Sequence, residues 1–432
     1  MACIVIAAIA SPGHFYPMLK VAQSLISQGH QITLFTGAVF RQQVEAINAQ
    51  FVAFDERIDY DYRHFVQHFP LRAQLPPGNL QLALSLKHIF AEPIPFLSQQ
   101  LQQIIREQQA ELVITENYFF SILPLLQEER ICRLPVIILG LGPLSYSSKD
   151  TVLFGPRIPP VLIPPELTHE QLVDEKTRQL IAEVQTYFDD ALIQSGCSAL
   201  TRPFNDAIIL GADRFLQLST LAFEYEREEL PDTVHFIGPI LDSTPITEAP
   251  HLWEDDDPRP LVIVTQGTIS NSDLNQLLLP TLRALATLPV RVLATTGGRA
   301  VETLNEVIPE NACVKDFISF ERWLPKAELL ISNGGYGTIN YALSHGVPLL
   351  IADAGESKQE TAFRVILAGC GISLNTAYPT ETALRQSVEK ILNTNLFKQR
   401  AKIVQQDYAR HNALAEISKH VEQLILERSR IN

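Results

Sequence analysis

One short stretch restricts the fold more than any other: Ile331-Ser332-Asn333-Gly334-Gly335-Tyr336-Gly337-Thr338. An apolar run delivers the chain into a glycine-rich turn, and a helical pattern opens directly after it at Gly337–Leu343. Glycine lets a backbone approach a ligand closely, and the free amides and dipole at a helix start attract an anion. The same glycines also suit an ordinary strand-to-helix turn that needs positive φ. The stretch alone does not choose between the two.

The rest of the chain repeats that local plan. In the first half Cys3–Ala10 reads as a strand, Pro17–Gln28 as an amphipathic helix closed by Gly29, and Gln31–Thr36 as the next strand. Phe96–Gln108 reads as a helix leading to the strand Glu111–Thr115, and Val136–Leu141 is a continuous apolar strand. A second series begins at Pro260: strand Leu261–Thr265, helix Ser272–Leu288, then strands Val290–Thr295, Leu329–Ser332 and Leu349–Ala352. Strands and helices alternating in this way imply parallel sheets covered on both faces. Between the series, Leu241–Arg259 is rich in Pro, Thr and acid, including Glu254-Asp255-Asp256-Asp257, which is a linker composition. The reading is α/β, with two Rossmann-like, doubly wound domains facing each other across a cleft. The boundaries are 1–240, a linker at 241–259, 260–415, and a C-terminal helix at 416–432 packing back on the first domain. A proline-rich loop, Pro156–Pro160 with Pro164-Pro165, interrupts the first half and serves either an acceptor pocket or a surface connection.

Composition removes several classes of function. The 432 residues suit two domains, and a net charge of −14 argues against nucleic acid or an anionic membrane surface as partner. Five scattered cysteines (Cys3, Cys132, Cys197, Cys313 and Cys370) form no zinc or disulfide pattern and read as free thiols of a reducing cytoplasm. The opening MACIVIAAIA lacks the basic flank of a signal peptide, and no later run is long enough to cross a bilayer.

The residues around the glycine turn carry more. Asp316-Phe317-Ile318-Ser319-Phe320 lies upstream, with Gly346-Val347-Pro348 and Asp353-Ala354-Gly355-Glu356-Ser357-Lys358 downstream. Asp316–Val365 resembles the donor-binding signature of family 1 glycosyltransferases, the inverting, metal-independent enzymes that include plant, macrolide and carotenoid glucosyltransferases. The resemblance extends to Ser11-Pro12-Gly13-His14, His235-Phe236-Ile237-Gly238-Pro239 and Gln266-Gly267-Thr268, in the family's order along most of the chain. It implies a GT-B fold with the donor in the C-terminal domain. It also implies transfer of a hexose, glucose first, from a UDP-sugar to a hydroxyl of a small apolar acceptor.

By the same resemblance Phe317 stands where the family stacks uracil, beside Ile318 and Phe320. The diphosphate falls to Thr268, Asn333, Gly335, Gly337 and Thr338, and the sugar to Glu356, Ser357 and Lys358. No metal or cofactor is implied beyond the nucleotide sugar as co-substrate. Three positions depart from the pattern. Asn333 replaces a common histidine, Tyr341 a ribose-binding glutamate, and Ser357-Lys358 an Asp-Gln pair. They leave donor base and sugar open.

His14 is the expected general base, since imidazole titrates near neutrality. Taken by itself it reads more readily as a partly buried histidine capping the helix, and Ser11-Pro12-Gly13 before it with the glycine turn of the second half favours the base. Such a base needs an orienting carboxylate. Glu116, at the end of the strand before Asn117, is the candidate, and its alternative is a solvated loop residue. Closure about Leu241–Arg259 is expected to exclude water. Phe65, Phe69, Leu84, Phe90, Phe119, Phe120 and Phe154 are candidates to flank the acceptor. The rival readings are a UDP-sugar 2-epimerase and an inactive glycosyltransferase-like binding or activating partner. A dinucleotide oxidoreductase is excluded because Ser11-Pro12-Gly13-His14 is not GxGxxG. A cytoplasmic monomer or weak dimer is expected.

Overall fold

The structure is a computed structural model. It describes residues 1–75, 78–147, 167, 170–227, 230–241, 257–268, 271, 273–304, 307–352 and 358–430. Glu356, Ser357, Phe154, the proline-rich loop and residues 242–256 of the linker lie outside them.

The chain forms two compact units, each built on one parallel sheet. Unit 1 holds β1 (Cys3–Ala7), β2 (Gln31–Thr36), β3 (Gln50–Ala53), β4 (Leu112–Glu116), β5 (Val136–Gly140), β6 (Arg214–Gln217) and β7 (Val234–Phe236). Its strand order is β3-β2-β1-β4-β5-β6-β7. Unit 2 holds β8 (Leu261–Thr265), β9 (Arg291–Thr295), β10 (Ala312–Lys315), β11 (Ala327–Ser332), β12 (Leu349–Ile351) and β13 (Gly371–Ser373), in the order β10-β9-β8-β11-β12-β13. Each order reverses once, beside β1 and beside β8, which makes both units doubly wound.

Continuous apolar strands are what a sheet covered on both faces requires. In unit 2 the two faces can be read residue by residue. Leu261, Ile263, Leu330, Leu349 and Ile351 enter one core, and Val262, Val264, Leu329, Ile331 and Leu350 the other. Successive side chains of a strand point to opposite faces, so the apolar residues of these strands are buried on both sides, while Glu328 near the start of β11 stays exposed. Truncating one of them, for example Ile263→Ala, removes contacts worth about 2–5 kcal/mol.

Several elements differ from the sequence reading. The first helix runs Pro12–Ser27 and takes in Gly13 and His14, because Pro12 fits the first helical position. β1 stops at Ala7, and β4 includes Glu116 as its last residue. The helix expected over Ser272–Leu288 is Leu278–Leu285. Buried Gln266 caps it, its Oε1 accepting from Leu277 N at 3.2 Å and Leu278 N at 2.8 Å. The short strands β3, β6, β7, β10 and β13 have too little apolar run to stand out from sequence alone.

The units are not single segments. Ser219–Tyr225 and Pro239–His411 make up unit 2, whereas Glu226–Gly238 and Asn412–Asn432 belong to unit 1. Within unit 2, Phe223 enters the core and stacks near Tyr336 at 6.3 Å. Fully buried Arg364 pairs with fully buried Glu224 at 2.6 Å and with Glu360 at 3.0 Å. Within unit 1 the helix Ala413–Ser429 is fixed by Gln28 Nε2 donating to Ser418 Oγ at 2.7 Å and by Arg214–Glu427 at 3.1 Å.

Candidate functional site

In unit 1 the site lies where the strand order reverses. β1 and β4 are neighbours, with Ala7 opposite Thr115. His14 follows β1, and Glu116 ends β4. The carboxyl ends of strands at such a reversal are where doubly wound sheets bind ligands. Backbone bonds seat the turn: Ser11 O accepts from His14 N at 3.0 Å and from Phe15 N at 2.8 Å.

Glu116 is fully buried, and a buried carboxylate must be compensated by donors. Its Oε2 accepts from Tyr118 N at 2.7 Å and its Oε1 from Ile9 N at 3.4 Å. His14 Nδ1 stands 3.2 Å from Oε1. The approach is oblique: buried Nδ1 has no acceptor in line with its N–H, so the contact is electrostatic. Such bonds are often misaligned before substrate arrives. The His14 side chain is 22% exposed, and with Nδ1 buried that exposure falls on the rest of the ring. Nε2 is then the nitrogen left to accept a proton. Tyr118 meets the ring edge-on at 5.2 Å.

Unit 1 also contains a cavity of about 790 Å³, lined by Ile9, Ala10, Phe54, Tyr60, Phe69 and Phe96 among others. Ile9 both lines it and donates to Glu116, so the cavity wall and the His14–Glu116 pair share one backbone segment. Of the candidate acceptor residues, Phe69 lines the cavity and Phe65 packs on Phe69 at 5.0 Å. Phe90 stacks toward Tyr118 at 5.9 Å, and Leu84 is half-buried. Phe119 and Phe120 are not among the residues that line this cavity. They are core, packed against Phe35 and Phe188, because large rings just after a central strand have only the interior to fill.

In unit 2 the reversal lies between β8 and β11, where Thr265 faces Ser332. The loops that follow these strands are tied together: Asn333 Nδ2 donates to Gln266 O at 2.6 Å. The helix Tyr336–Ser344 starts immediately after Gly335. First-turn amides of a helix have no partner within it and aim at whatever lies beyond its end. A Cβ added to Gly337 meets nothing within 4 Å, and one added to Gly335 meets only Thr338 Oγ1, at 3.9 Å. The Cα faces of these two glycines are therefore unobstructed. Thr268 is exposed and Thr338 half-buried. Gly334 adopts φ +87°, and the Lys358 Cβ lies 3.4 Å from where its own Cβ would be. Lys358, the first residue of helix Lys358–Leu367, thus adjoins the glycine turn.

Phe317 is 67% exposed, with Gly298 beneath its ring. A Cβ there would meet Phe317 Cζ at 2.7 Å. Ile318 and Phe320 are partly buried against the core, and Phe320 lies 6.3 Å from the Tyr341 ring. Buried Asn271, which the sequence reading passed over, holds this corner by donating to Thr296 O at 2.8 Å and Gly297 O at 3.1 Å. Among the described residues no three His, Cys, Asp or Glu gather as metal ligands, and no helix is long and apolar enough to cross a membrane.

Two parallel, doubly wound units, with a histidine–carboxylate contact at one reversal and a glycine-framed helix start at the other, have the architecture of GT-B glycosyltransferases. Residues 4–138 match the glycosyltransferase family 28 N-terminal domain, and 279–424 match the erythromycin biosynthesis protein CIII-like C-terminal domain. UDP-glycosyltransferase 2 of Phaeomoniella chlamydospora is 31% identical, over 98% of this chain and 95% of that protein. The 4'-demethylrebeccamycin synthase of Lentzea aerocolonigenes is also 31% identical, over 98% and 99%. The calicheamicin glycosyltransferase CalG4 superposes with a TM-score of 0.73 at 19% identity, over 98% of both chains. The chain belongs to the family 1 glycosyltransferase superfamily, in its macrolide and natural-product branch.

Proposed function

We propose that the protein is an inverting glycosyltransferase that moves a hexose, glucose first, from a UDP-sugar to a hydroxyl of a small apolar natural product. The observation that carries this reading is His14, its Nδ1 held 3.2 Å from buried Glu116 so that Nε2 is the free base. Nε2 takes the acceptor's hydroxyl proton. The oxygen attacks the anomeric carbon from the face opposite the diphosphate, and UDP leaves with the bonding electrons. The amides at Gly335–Thr338 and the hydroxyls of Thr268 and Thr338 hold the diphosphate as its charge grows. Phe317 stacks on the base beside Ile318 and Phe320, and Lys358, with Glu356 and Ser357, serves the sugar. The cavity beside Ile9 receives the acceptor: Ile9, Phe54, Phe69 and Phe96 give it an apolar wall, and Arg57, Asp59, Arg72 and Lys87 bring charged groups to it.

The donor name carried by the Phaeomoniella relative supports UDP. Calorimetric titration with UDP, dTDP and GDP, without added metal, tests the donor site. Binding of UDP in preference to the others is expected. UDP-glucose is then incubated with hydroxylated polyketides, flavonoids, sterols and carotenoids. A product of inverted anomeric configuration is expected from the wild type and not from His14→Ala. Absence of nucleotide binding, or full turnover in His14→Ala, overturns the proposal.

A further inference from the structure

Tyr60 is one of the polar residues that line the acceptor cavity, beside Arg57, Asp59, His68 and Arg72. Its ring is pinned edge-on by Phe69 at 5.2 Å and Phe65 at 6.0 Å, with His68 at 6.2 Å. Three neighbours fix the direction of a side chain with only two rotatable bonds, so the hydroxyl has little freedom to seek a partner elsewhere. Among the described residues it has none, although Tyr60 lines the cavity. Tyr60 is half-buried, and a ligand that displaces water from its hydroxyl without offering an acceptor leaves that hydroxyl unpaired. Burial pushes its pKa far above the ordinary tyrosine value, and the charges of Glu116 and Asp59 add to that. The group therefore keeps its proton and acts as a donor. The influence of Glu116 also places Tyr60 within electrostatic reach of the carboxylate that holds His14.

We propose that Tyr60 is a specificity-determining residue whose hydroxyl donates a hydrogen bond to a second oxygen of the acceptor, away from the hydroxyl that receives the sugar. The substrate class is then a bifunctional apolar alcohol: a hydroxyl at one end, and a carbonyl, ether or further hydroxyl oxygen elsewhere on the scaffold. A purely hydrocarbon alcohol leaves the phenol unpaired. A site built to hydrogen-bond a substrate group rejects the analogue lacking it far more strongly than an apolar pocket rejects an added group. The inference rests on the cavity being the acceptor site.

The test uses two fluorescent bicyclic probes of similar size, umbelliferone, which carries a lactone carbonyl remote from its hydroxyl, and 2-naphthol, which does not. Binding of each to the full-length wild type and to Tyr60→Phe is measured by fluorescence, with UDP titrated in parallel. The replacement removes one oxygen and keeps the ring packing. Tyr60→Phe is expected to weaken umbelliferone about tenfold and to leave 2-naphthol within about twofold. Equal changes for the two probes, or no change for either, overturn the inference. If the wild type binds neither probe, the cavity is not the acceptor site and the inference falls with it. Unaltered UDP binding in both proteins then shows that the reading of unit 2 stands independently.

Discussion

Glu116 holds His14 from the far side of a strand pair: its Oε1 lies 3.2 Å from His14 Nδ1 while its other oxygen takes the amide of Tyr118 at 2.7 Å. One carboxylate thereby faces the His14 ring and anchors the loop beyond β4. His14→Ala is expected to lower kcat by about 10²–10⁴-fold with the UDP dissociation constant unchanged. Glu116→Gln must turn an amide donor toward either Ile9 N or Tyr118 N. It is expected to lose both activity and thermal stability. Steady-state kinetics, calorimetry and melting curves check each arm.

Two glycines of unit 2 should respond oppositely. Gly337 lies in the first turn of its helix with open space where a Cβ would go, so Gly337→Ala is expected to keep or raise the melting temperature. Its methyl group then occupies the space assigned to diphosphate, and UDP binding weakens. Gly298 has φ +98° and Phe317 above it, so Gly298→Ala is expected to lower stability and displace the Phe317 ring together. Equal UDP affinity in wild type and Gly337→Ala would remove the helix start from the donor site.

Asn333→Asp retains the size of the side chain but replaces its donor with an anion. It sets that anion against Gln266 O, 2.6 Å from the present amide nitrogen. Loss of the bond and repulsion between oxygens are expected to cost about 1–3 kcal/mol of stability. The added negative charge should also weaken UDP binding. Denaturant titration and calorimetry measure the two effects, and an unchanged UDP affinity would exclude Asn333 from the diphosphate contact.

Arg364 and Glu224 are both inaccessible to solvent, and removing one partner of such a pair leaves a buried charge uncompensated. Glu224→Gln is expected to destabilise unit 2 by about 3–5 kcal/mol, read as an early unfolding step in urea. A loss below about 1 kcal/mol would show that Glu360 and Tyr225 suffice for Arg364.

Acid should loosen the C-terminal helix. His420 stacks 4.9 Å from His235, with Arg214 beside them and Glu416 and Lys419 on its own helix. Burial, then His235 and Arg214, push the His420 pKa down from 6.5 to about 4, and burial and Arg214 also lower His235. The unfolded chain therefore binds more protons than the native one between these values. Stability is complete above pH 6.5 and is lost as pH falls through that window toward about 4. The melting temperature of His420→Gln is expected to depend less on pH across this range than that of the wild type.

Much of the architecture was legible because parallel strands covered on both faces write themselves as apolar runs. Leu261–Thr265 and Ile331–Ser332 fell where the sequence placed them. Short strands such as Val234–Phe236 and Gly371–Ser373 carry too few residues for any period. The helix boundary at Pro12 was missed because amphipathic spacing begins only at Leu19, although the proline already fits a helix start. Phe119 and Phe120 looked like pocket residues because aromatic content does not reveal which face a ring joins.

The sequence by itself determined the alternation of strands and helices, the glycine turn and its helix, and the presence of a histidine after the first strand. Periodicity and backbone freedom are local properties, and they are written locally. Only the tertiary structure decided that β1 lies beside β4, so that Glu116 reaches His14. It also decided that Asn333 donates its amide to Gln266, and that Tyr60 lines a cavity in unit 1. Those outcomes depend on which strands become neighbours and which side chains win the interior, and long-range packing settles both.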